Sequence, residues 1–369
     1  SETYVVRASL MPDAHVGYVA PIGAVLATRD YIVPAWVGYD IGCGMTAAKL
    51  PKNILKSLKA NSAKIYEQVK KQIPMGLGST NNSDKNITEK TKKQFAKILS
   101  DFKKGHYNKQ VLQFLESGKA LRSLGTLGHG NHFVSLNSDD KGFPWIVVHS
   151  GSRGIGHWIA TLYMKKSSGR NIGFEETYPL LYNSPEGREY QNLLDFSLEF
   201  AKLNRLEMVN QVVSAIEKVL KLKSGKIKFV VWTNKNHNHA LKEKGLFIHR
   251  KGATPAKRGE RGIIPANMRD GSFLVEGKGN KDFLSSSSHG AGRALSRTQA
   301  REKLNASAFK KEMDAEGIIG NFSDSSLDEA PQAYKDIYKV LQLQSKSIKV
   351  INHLKPFINW QGERFRGRG

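Results

Sequence analysis

The sequence predicts an α+β fold in which a mixed β-sheet forms the core and helices pack outside it. Short apolar runs bounded by glycine and proline recur at residues 4–6, 24–27, 31–33, 146–149 and 228–232, a pattern typical of strands joined by turns. Lysine-rich segments of helical periodicity occupy residues 52–73 and 87–115. Residues 186–221 place apolar side chains at helical spacing, which predicts one long helix packed against the core.

The N-terminal strand-and-turn region, in which we place a turn at Pro12, ends in Val37-Gly-Tyr-Asp40-Ile-Gly-Cys43-Gly-Met45. Asp40 and Cys43 are three residues apart in a glycine-rich turn, where a carboxylate and a thiolate could converge on one metal ion. Cys43 is the single cysteine, so no intrachain disulfide can form. A lone thiol is more often an inert buried residue, and two ligands are too few to define a site.

The two lysine-rich helical segments are separated by a glycine- and asparagine-rich loop at residues 76–84. We expect them to form a basic outer layer. Such lysines are more often solvated than ligand-bound, and any role for them would be contact with an RNA or DNA backbone.

Histidines stand in several turns at predicted strand ends. Residues 125–133 place Asn131 and His132 in a glycine turn, and the apolar run 146–149 delivers His149 into a Ser/Gly turn that contains Arg153. A strand followed by such a turn is a common anion-binding arrangement. His237 follows the next predicted strand in the same way.

Residues 285–297 set His289 among serines and glycines, and Gly290 and Gly292 would let the backbone approach a ligand closely. Arg293 and Arg297 follow at spacings of four, so a helix beginning after Gly292 would present both guanidiniums on one face. This pattern predicts a histidine directed at a phosphate. The alternative is a structural histidine in an ordinary glycine loop.

The length and charge of the chain predict its domain organisation and its partner. We expect one domain over residues 1–362, with helices in the last 60 residues, a strand at 356–360 and a basic, disordered tail at 363–369. The net charge is +24, from 57 Lys and Arg against 33 acids, which favours nucleic acid as the partner over a merely basic surface. Neither a membrane span nor an export signal is indicated, so a cytoplasmic location is expected.

The candidate ligand atoms share one setting, since each lies in or beside a glycine turn at a strand end: Asp40, Cys43, His132, His149, His237 and His289. Carboxylate, thiolate and imidazole are transition-metal ligands, and a bridging thiolate could serve two ions. Donor softness by itself favours zinc, cobalt or iron(II) over manganese.

Six spaced motifs resemble the RtcB family of 3′-phosphate RNA-splicing ligases. They are Met-Pro-Asp-Ala-His-Val-Gly, Val-Gly-Tyr-Asp-Ile-Gly-Cys-Gly, Gly-Thr-Leu-Gly-His-Gly-Asn-His-Phe, His-Ser-Gly-Ser-Arg-Gly, Arg-Lys-Gly-Ala-Thr and Ser-His-Gly-Ala-Gly-Arg, and they occur in the family's order between Met11 and Gly362. The resemblance implies an RtcB-type fold with a metal and nucleotide site at strand ends. It also implies GTP- and manganese-dependent joining of RNA 3′-phosphate or 2′,3′-cyclic phosphate ends to 5′-hydroxyl ends.

The resemblance also implies residue roles. Asp40, Cys43 and His132 would hold one Mn(II), and Cys43, His149 and His237 a second. His289 would carry GMP as a phosphoramidate. The positions matching nucleotide and phosphate contacts are Asn131, Ser272, Asn267, Arg153, Arg293, Arg297, Gly290, Gly292 and Gln361.

Three positions depart from the family pattern. Gln361 stands where the family has a guanine-contacting lysine, Ser135 stands where it has an acidic residue, and Asn267 stands where it has a serine. These changes predict a weaker preference for guanine. They are also compatible with an alternative function, that of a divergent, metal-bearing RNA-binding protein that has lost ligase activity. A lysine-adenylating ligase is disfavoured because the chain has no Lys-x-Asp-Gly motif.

Overall fold

The computed structural model describes residues 4–169 and 177–362. The predicted disordered tail at 363–369 lies outside the described residues. Within the described ranges, none of the helices combines the length and apolar character that crossing a bilayer requires.

The described residues contain runs of α-helices, such as those within residues 55–122, and runs of strands, such as those within residues 230–288, as the predicted α+β class requires. The strands are β1 (Val5–His15), β2 (Ile22–Thr28), β3 (Tyr31–Ile32), β4 (Gly44–Lys49), β5 (Phe133–Asp139), β6 (Pro144–Ser150), β7 (Leu180–Leu181), β8 (Val230–Asn236), β9 (Asn238–Glu243), β10 (Leu246–Lys251), β11 (Ala253–Pro255), β12 (Arg261–Pro265), β13 (Ser272–Gly277), β14 (Ser286–Ser288) and β15 (Ile348–Gln361). The α-helices are α1 (Pro34–Val37), α2 (Leu55–Ala60), α3 (Ser62–Gln72), α4 (Glu89–Phe102), α5 (Lys109–Glu116), α6 (Lys119–Arg122), α7 (Gly154–Ser168), α8 (Pro185–Val219), α9 (Arg297–Lys303), α10 (Ala306–Ala315) and α11 (Ile337–Leu343).

Two larger sheets and two short ribbons contain these strands. A seven-stranded sheet has the order β12-β13-β15-β5-β6-β4-β8, and a four-stranded sheet has the order β1-β2-β10-β9. The pairs β11-β14 and β3-β7 form the ribbons. The outer strands β12 and β8 of the larger sheet approach each other, and the Thr233 hydroxyl donates to the Arg261 carbonyl at 3.2 Å, so this sheet is nearly closed.

The expectation of a mixed sheet is wrong for the described strands. Every pair of named strands in the two larger sheets is antiparallel. For β5-β6, β9-β10 and β12-β13 the physical reason is the short turn that joins the two strands, since parallel neighbours need crossovers of about a dozen residues or more.

The long helix α8 confirms the prediction for residues 186–221. Its first residue is Pro185, and the Ser184 side chain accepts the Gly187 N–H at 3.1 Å, which caps the N-terminus. Its apolar face packs in the core with α3, β6 and β15, through buried residues such as Val212 and Ile216. One side of α8 therefore lies against the large sheet, close to the ends of β4, β6 and β8.

Three local expectations need correction. Strand β1 continues through Pro12, which an edge strand tolerates where its pairing with β2 is irregular. Helix α9 begins at Arg297, so Arg293 precedes it and the two guanidiniums do not share a helix face. The final strand starts at Ile348, well before the predicted 356–360, because it pairs with β13 along its first half and with β5 along its second half.

Candidate metal and nucleotide site

Four ligand-bearing turns meet at one edge of the seven-stranded sheet. Strands β5, β6, β4 and β8 are consecutive and antiparallel, so the starts of β5 and β4 lie beside the ends of β6 and β8. His132 and Cys43 immediately precede β5 and β4, His149 is the penultimate residue of β6, and His237 follows β8. The strand order thus brings these side chains together.

The ligand atoms are within contact distance of one another. Cys43 Sγ lies 3.2 Å from Nε2 of both His132 and His149, and His149 Nε2 lies 3.3 Å from His237 Nε2. His132 Nε2 lies 2.9 Å from Asp40 Oδ2. The atoms form two groups that share Cys43, and within each group they lie within 4.8 Å of one another.

The donor set fits divalent transition-metal ions. The His149 Nδ1–H donates to the Asn131 carbonyl at 3.0 Å, which leaves Nε2 with its lone pair directed into the cluster. Burial lowers the pKa of His149 and of His237 well below that of a free imidazole, so both are neutral donors at pH 7. Burial also raises the pKa of the Cys43 thiol, and a bound cation would favour its thiolate form.

His289 lies beside this cluster and is oriented by Asp13. Its ring centroid is 4.8 Å from that of His237. Its Nδ1 is 2.7 Å from Asp13 Oδ2, and the same oxygen accepts the backbone N–H groups of His289 and Gly290 at 3.1 and 3.2 Å. A carboxylate can only accept, so this contact selects the tautomer with a proton on Nδ1, in which the neutral ring has its lone pair on Nε2.

The sequence prediction missed Asp13, which is fully buried on β1. The available signal was its place in the Met-Pro-Asp-Ala-His segment, which carried the family resemblance without an assigned role. Its partner is 276 residues away along the chain, so spacing could not have identified it.

A cavity of about 800 Å³ collects most of the predicted site residues. Those that line it are Asp40, Cys43, Asn131, His149, His237, Asn267, Ser272, His289, Gly290, Gly292, Arg293, Arg297 and Gln361. His132 and Arg153 do not line it, although His132 belongs to the first ligand group.

Arg153 is turned toward the loops behind the cluster. Its Nε–H donates to the Thr126 hydroxyl at 2.9 Å, and an Nη group donates to the Gly76 carbonyl at 3.4 Å. Its backbone has φ 60° and ψ −153°, a region that non-glycine residues occupy at a cost of about 1–3 kcal/mol. The strained residue is the N-cap of α7, in the turn between β6 and that helix.

Arg293 and Arg297 are paired with a buried acidic couple that the sequence prediction missed. Arg297 Nη1 lies 2.6 Å from Asp328 Oδ2, and Arg293 Nη1 lies 3.4 Å from Glu329 Oε1. Asp328 and Glu329 end the short 3-10 helix Asp324–Glu329. The two guanidiniums therefore line the cavity with much of their charge already balanced.

Neutral amide and hydroxyl groups stand at the positions that depart from the family pattern. Gln361 donates its side-chain N–H to the Gly130 carbonyl, and Ser135 accepts from the Asn137 amide at 2.9 Å. The Asn267 amide is engaged within its own loop, where it donates to Asp270 at 2.8 Å.

Part of the cavity wall carries aromatic side chains and one lysine. Tyr18 is 70% exposed, and its ring packs edge-on against Tyr39 at 6.2 Å, while Tyr39 stacks on His157 at 5.0 Å. Lys251 donates to the Ala35 carbonyl at 3.3 Å, and burial lowers its pKa to about 8. The sequence prediction assigned no role to these residues.

Comparison with known proteins gives one consistent result. Residues 2–362 match the family described as tRNA-splicing ligase RtcB. The chain is 33% identical to RNA-splicing ligase RtcB1 and to RNA-splicing ligase RtcB from two Escherichia coli strains, in each case over 96% of this chain and 90% of the relative. It is 29% identical to the tRNA-splicing ligase RtcB of Thermococcus kodakarensis, over 90% of this chain and 83% of that protein.

Proposed function

The chain belongs to the RtcB family of tRNA-splicing ligases, and on that premise we propose that it is an RNA ligase that consumes GTP and requires manganese. It would join RNA ends bearing a 3′-phosphate or a 2′,3′-cyclic phosphate to ends bearing a 5′-hydroxyl. We further propose that residues 1–362 act as one catalytic domain, since the candidate ligands and His289 are distributed across that length.

The observation that carries this proposal is the position of His289. Its Nδ1 is bound to the Asp13 carboxylate at 2.7 Å, and its ring lies 4.8 Å from that of His237 in the ligand cluster. A histidine held in one tautomer beside a divalent-metal site is suited to nucleophilic attack on a phosphate, because neutral Nε2 presents a lone pair.

The metal ligands divide into two overlapping groups. Asp40, Cys43 and His132 would hold one manganese ion, and Cys43, His149 and His237 would hold the second. Bound there, the ions would neutralise the triphosphate and stabilise the departing pyrophosphate. A thiolate ligand favours softer ions than manganese, so the identity of the metal as manganese is itself proposed here.

The covalent step uses His289. Its Nε2 attacks the α-phosphorus of GTP, a P–N bond forms, and the bond to pyrophosphate breaks. An oxygen of the RNA 3′-phosphate then attacks the same phosphorus and releases the imidazole, which gives an RNA-(3′)pp(5′)G end. Attack of the 5′-hydroxyl on the RNA phosphate forms the phosphodiester and expels GMP. A cyclic phosphate would first be opened by water to the 3′-phosphate.

The remaining predicted residues surround the nucleotide in this scheme. Gly290 and Gly292 would let the backbone approach the phosphates closely, and the guanidiniums of Arg293 and Arg297 would contact them. The other predicted contacts would place the sugar and base, and they are Asn131, Ser272, Asn267 and Gln361. Arg153 would contribute without lining the cavity, because its guanidinium donates to the Thr126 hydroxyl and the Gly76 carbonyl.

The RNA partner is supported by charge and by the aromatic wall. The chain carries a net charge of +24, which favours phosphate contacts. Tyr18, which is 70% exposed at the cavity, offers a ring on which an unpaired base could stack. We propose that an RNA end enters over this ring.

Ligation of short RNAs tests the proposal. With GTP and Mn(II), a 3′-phosphate or cyclic phosphate should join to a 5′-hydroxyl, whereas a 3′-hydroxyl should not. Incubation with α-labelled GTP should label the wild-type protein covalently, and His289→Ala should abolish the label. Stoichiometric label on His289→Ala would exclude His289 as the nucleophile.

The second candidate function is a metal-bearing RNA-binding protein without ligase activity. It is favoured by the residues that depart from the family pattern, which are Ser135, Asn267 and Gln361. Absence of label and of ligation in wild-type protein, under conditions where a control ligase is active, would support this alternative if RNA binding persists.

A further inference from the structure

Helix α8 presents a fully buried arginine to the edge of the sheet that carries the metal ligands. Arg205 is 0% exposed. One Nη group donates to the Gly42 carbonyl at 3.0 Å and to the Ser150 carbonyl at 2.8 Å, and the other donates to Asn236 Oδ1 at 2.7 Å. A single guanidinium thus connects three separate chain segments.

Each of these acceptors is the chain neighbour of one member of the second ligand group. Cys43 follows the first acceptor, His149 precedes the second, and His237 follows the third. The segments are also linked to each other, since the His237 N–H donates to the Cys43 carbonyl at 2.7 Å. The guanidinium therefore contacts the backbone or side chain next to every ligand of that group.

Helix α8 lies in close contact with the segments at this edge of the sheet. Gly42 has φ 74°, and a Cβ there would lie 2.9 Å from the Cβ of Ala201, one turn before Arg205. The Asn236 amide donates to the Leu198 carbonyl at 3.2 Å. Both segments are thus pressed against the same face of α8.

Among the residues that the structure describes, Arg205 is buried without forming an ion pair. Its Nε–H donates to Asn234 Oδ1 at 2.9 Å and to the Thr46 hydroxyl at 3.3 Å, and within the described residues it forms no salt bridge. All its hydrogen-bond acceptors are neutral. Burial of a charge without a carboxylate partner is costly, so these hydrogen bonds to the strand-end segments must offset that cost.

We infer that Arg205 is a positioning residue that holds the three segments carrying Cys43, His149 and His237 in a geometry ready for metal binding. The planar fork reaches three acceptors at fixed angles, which a lysine ammonium cannot reproduce. Interactions that orient metal ligands from behind typically change metal affinity by about 10- to 100-fold when removed. This inference rests on the proposed metal site.

Cobalt(II) titration of the full-length protein tests the inference, because a thiolate–cobalt bond gives a charge-transfer absorption that does not depend on activity. Arg205→Met should weaken cobalt binding by about 10- to 100-fold, and Arg205→Lys should recover part of that loss. Asn236→Ala removes one contact and should give a smaller loss, so it serves as the test if Arg205→Met does not fold. Circular dichroism and thermal unfolding of each variant report folding separately.

Glu207→Gln is the matched control. Glu207 is also 0% exposed and lies on α8, but its carboxylate accepts from the Thr88 and Thr91 hydroxyls at 2.7 and 2.5 Å instead of contacting the three ligand segments. The substitution should lower the unfolding temperature while leaving cobalt affinity unchanged. A wild-type protein without the thiolate–cobalt absorption would overturn both the metal site and this inference. Normal absorption in wild type with unchanged affinity in the folded Arg205 or Asn236 variants would overturn the inference alone.

Discussion

Replacement of Asp13 by asparagine should slow covalent nucleotide transfer to His289 without unfolding the protein. Asp13 Oδ2 accepts three N–H groups, from the His289 ring and from the backbone of His289 and Gly290, at 2.7 to 3.2 Å. An asparagine oxygen can occupy the same point, so the geometry is retained and the negative charge is lost. As the P–N bond forms, the ring gains positive charge that the carboxylate would stabilise.

The magnitude follows from these contacts. A hydrogen bond to a charged group contributes about 1.5–3 kcal/mol, roughly twice a neutral one. Asp13→Asn keeps a neutral hydrogen bond and therefore removes about half of this, about 0.8–1.5 kcal/mol, which corresponds to about a 4- to 13-fold slower reaction at 1.36 kcal/mol per tenfold. Asp13→Ala should slow labelling further and also destabilise the fold, because each orphaned backbone N–H costs about 1–3 kcal/mol.

A quenched time course with α-labelled GTP and Mn(II) measures this effect. Asp13 does not line the cavity, so the maximal labelling rate should fall while the GTP concentration for half-maximal rate stays unchanged. Asp139→Asn is the control, since Asp139 is also buried and accepts from the Trp145 indole at 2.9 Å, away from the site. Labelling of Asp13→Asn at the wild-type rate would refute the positioning role.

Three further predictions concern the metal, the base and the RNA. Cys43→Ala should reduce bound metal measured by mass spectrometry, because both ligand groups share its sulfur; unchanged metal content would make Cys43 structural. Gln361 should leave GTP only weakly preferred over ATP in competition labelling, since an amide both donates and accepts, and a strong preference would show that guanine is read elsewhere. Tyr18→Ala should weaken RNA binding by about 1–3 kcal/mol with nucleotide labelling unchanged, whereas Tyr338→Ala, at an exposed tyrosine outside the cavity, should not.

Periodicity and turn residues predicted much of the secondary structure. The long helix is confirmed because its apolar spacing extends from Pro185 to Val219, and the apolar run at 146–149 is confirmed within β6. Local patterns failed where pairing with a distant strand decides the outcome. Strand β15 extends back to Ile348 because β13 pairs with it, and β1 passes through Pro12 because it lies at a sheet edge.

Candidate site residues could be identified from the sequence where the residues of their own turn indicated them. His149, His237 and His289 stand in glycine or asparagine turns at strand ends, a local feature of the chain. The residues that hold them in place had no such signal. Asp13 and Arg205 sit in a strand and a helix whose local patterns are ordinary, and their partners are distant in sequence.

By itself the sequence determined the chemical inventory of this protein: a basic chain, one thiol, several turn histidines, and the family motifs in order. The tertiary structure decided which of these groups meet. The strand order β5-β6-β4-β8 differs from chain order, and this order brings Cys43, His132, His149 and His237 to one edge. It also placed an acidic couple against Arg293 and Arg297, which a local pattern could not reveal. Strand pairing is a long-range balance of burial and hydrogen bonding, so it is encoded in the whole chain and cannot be read from any single segment.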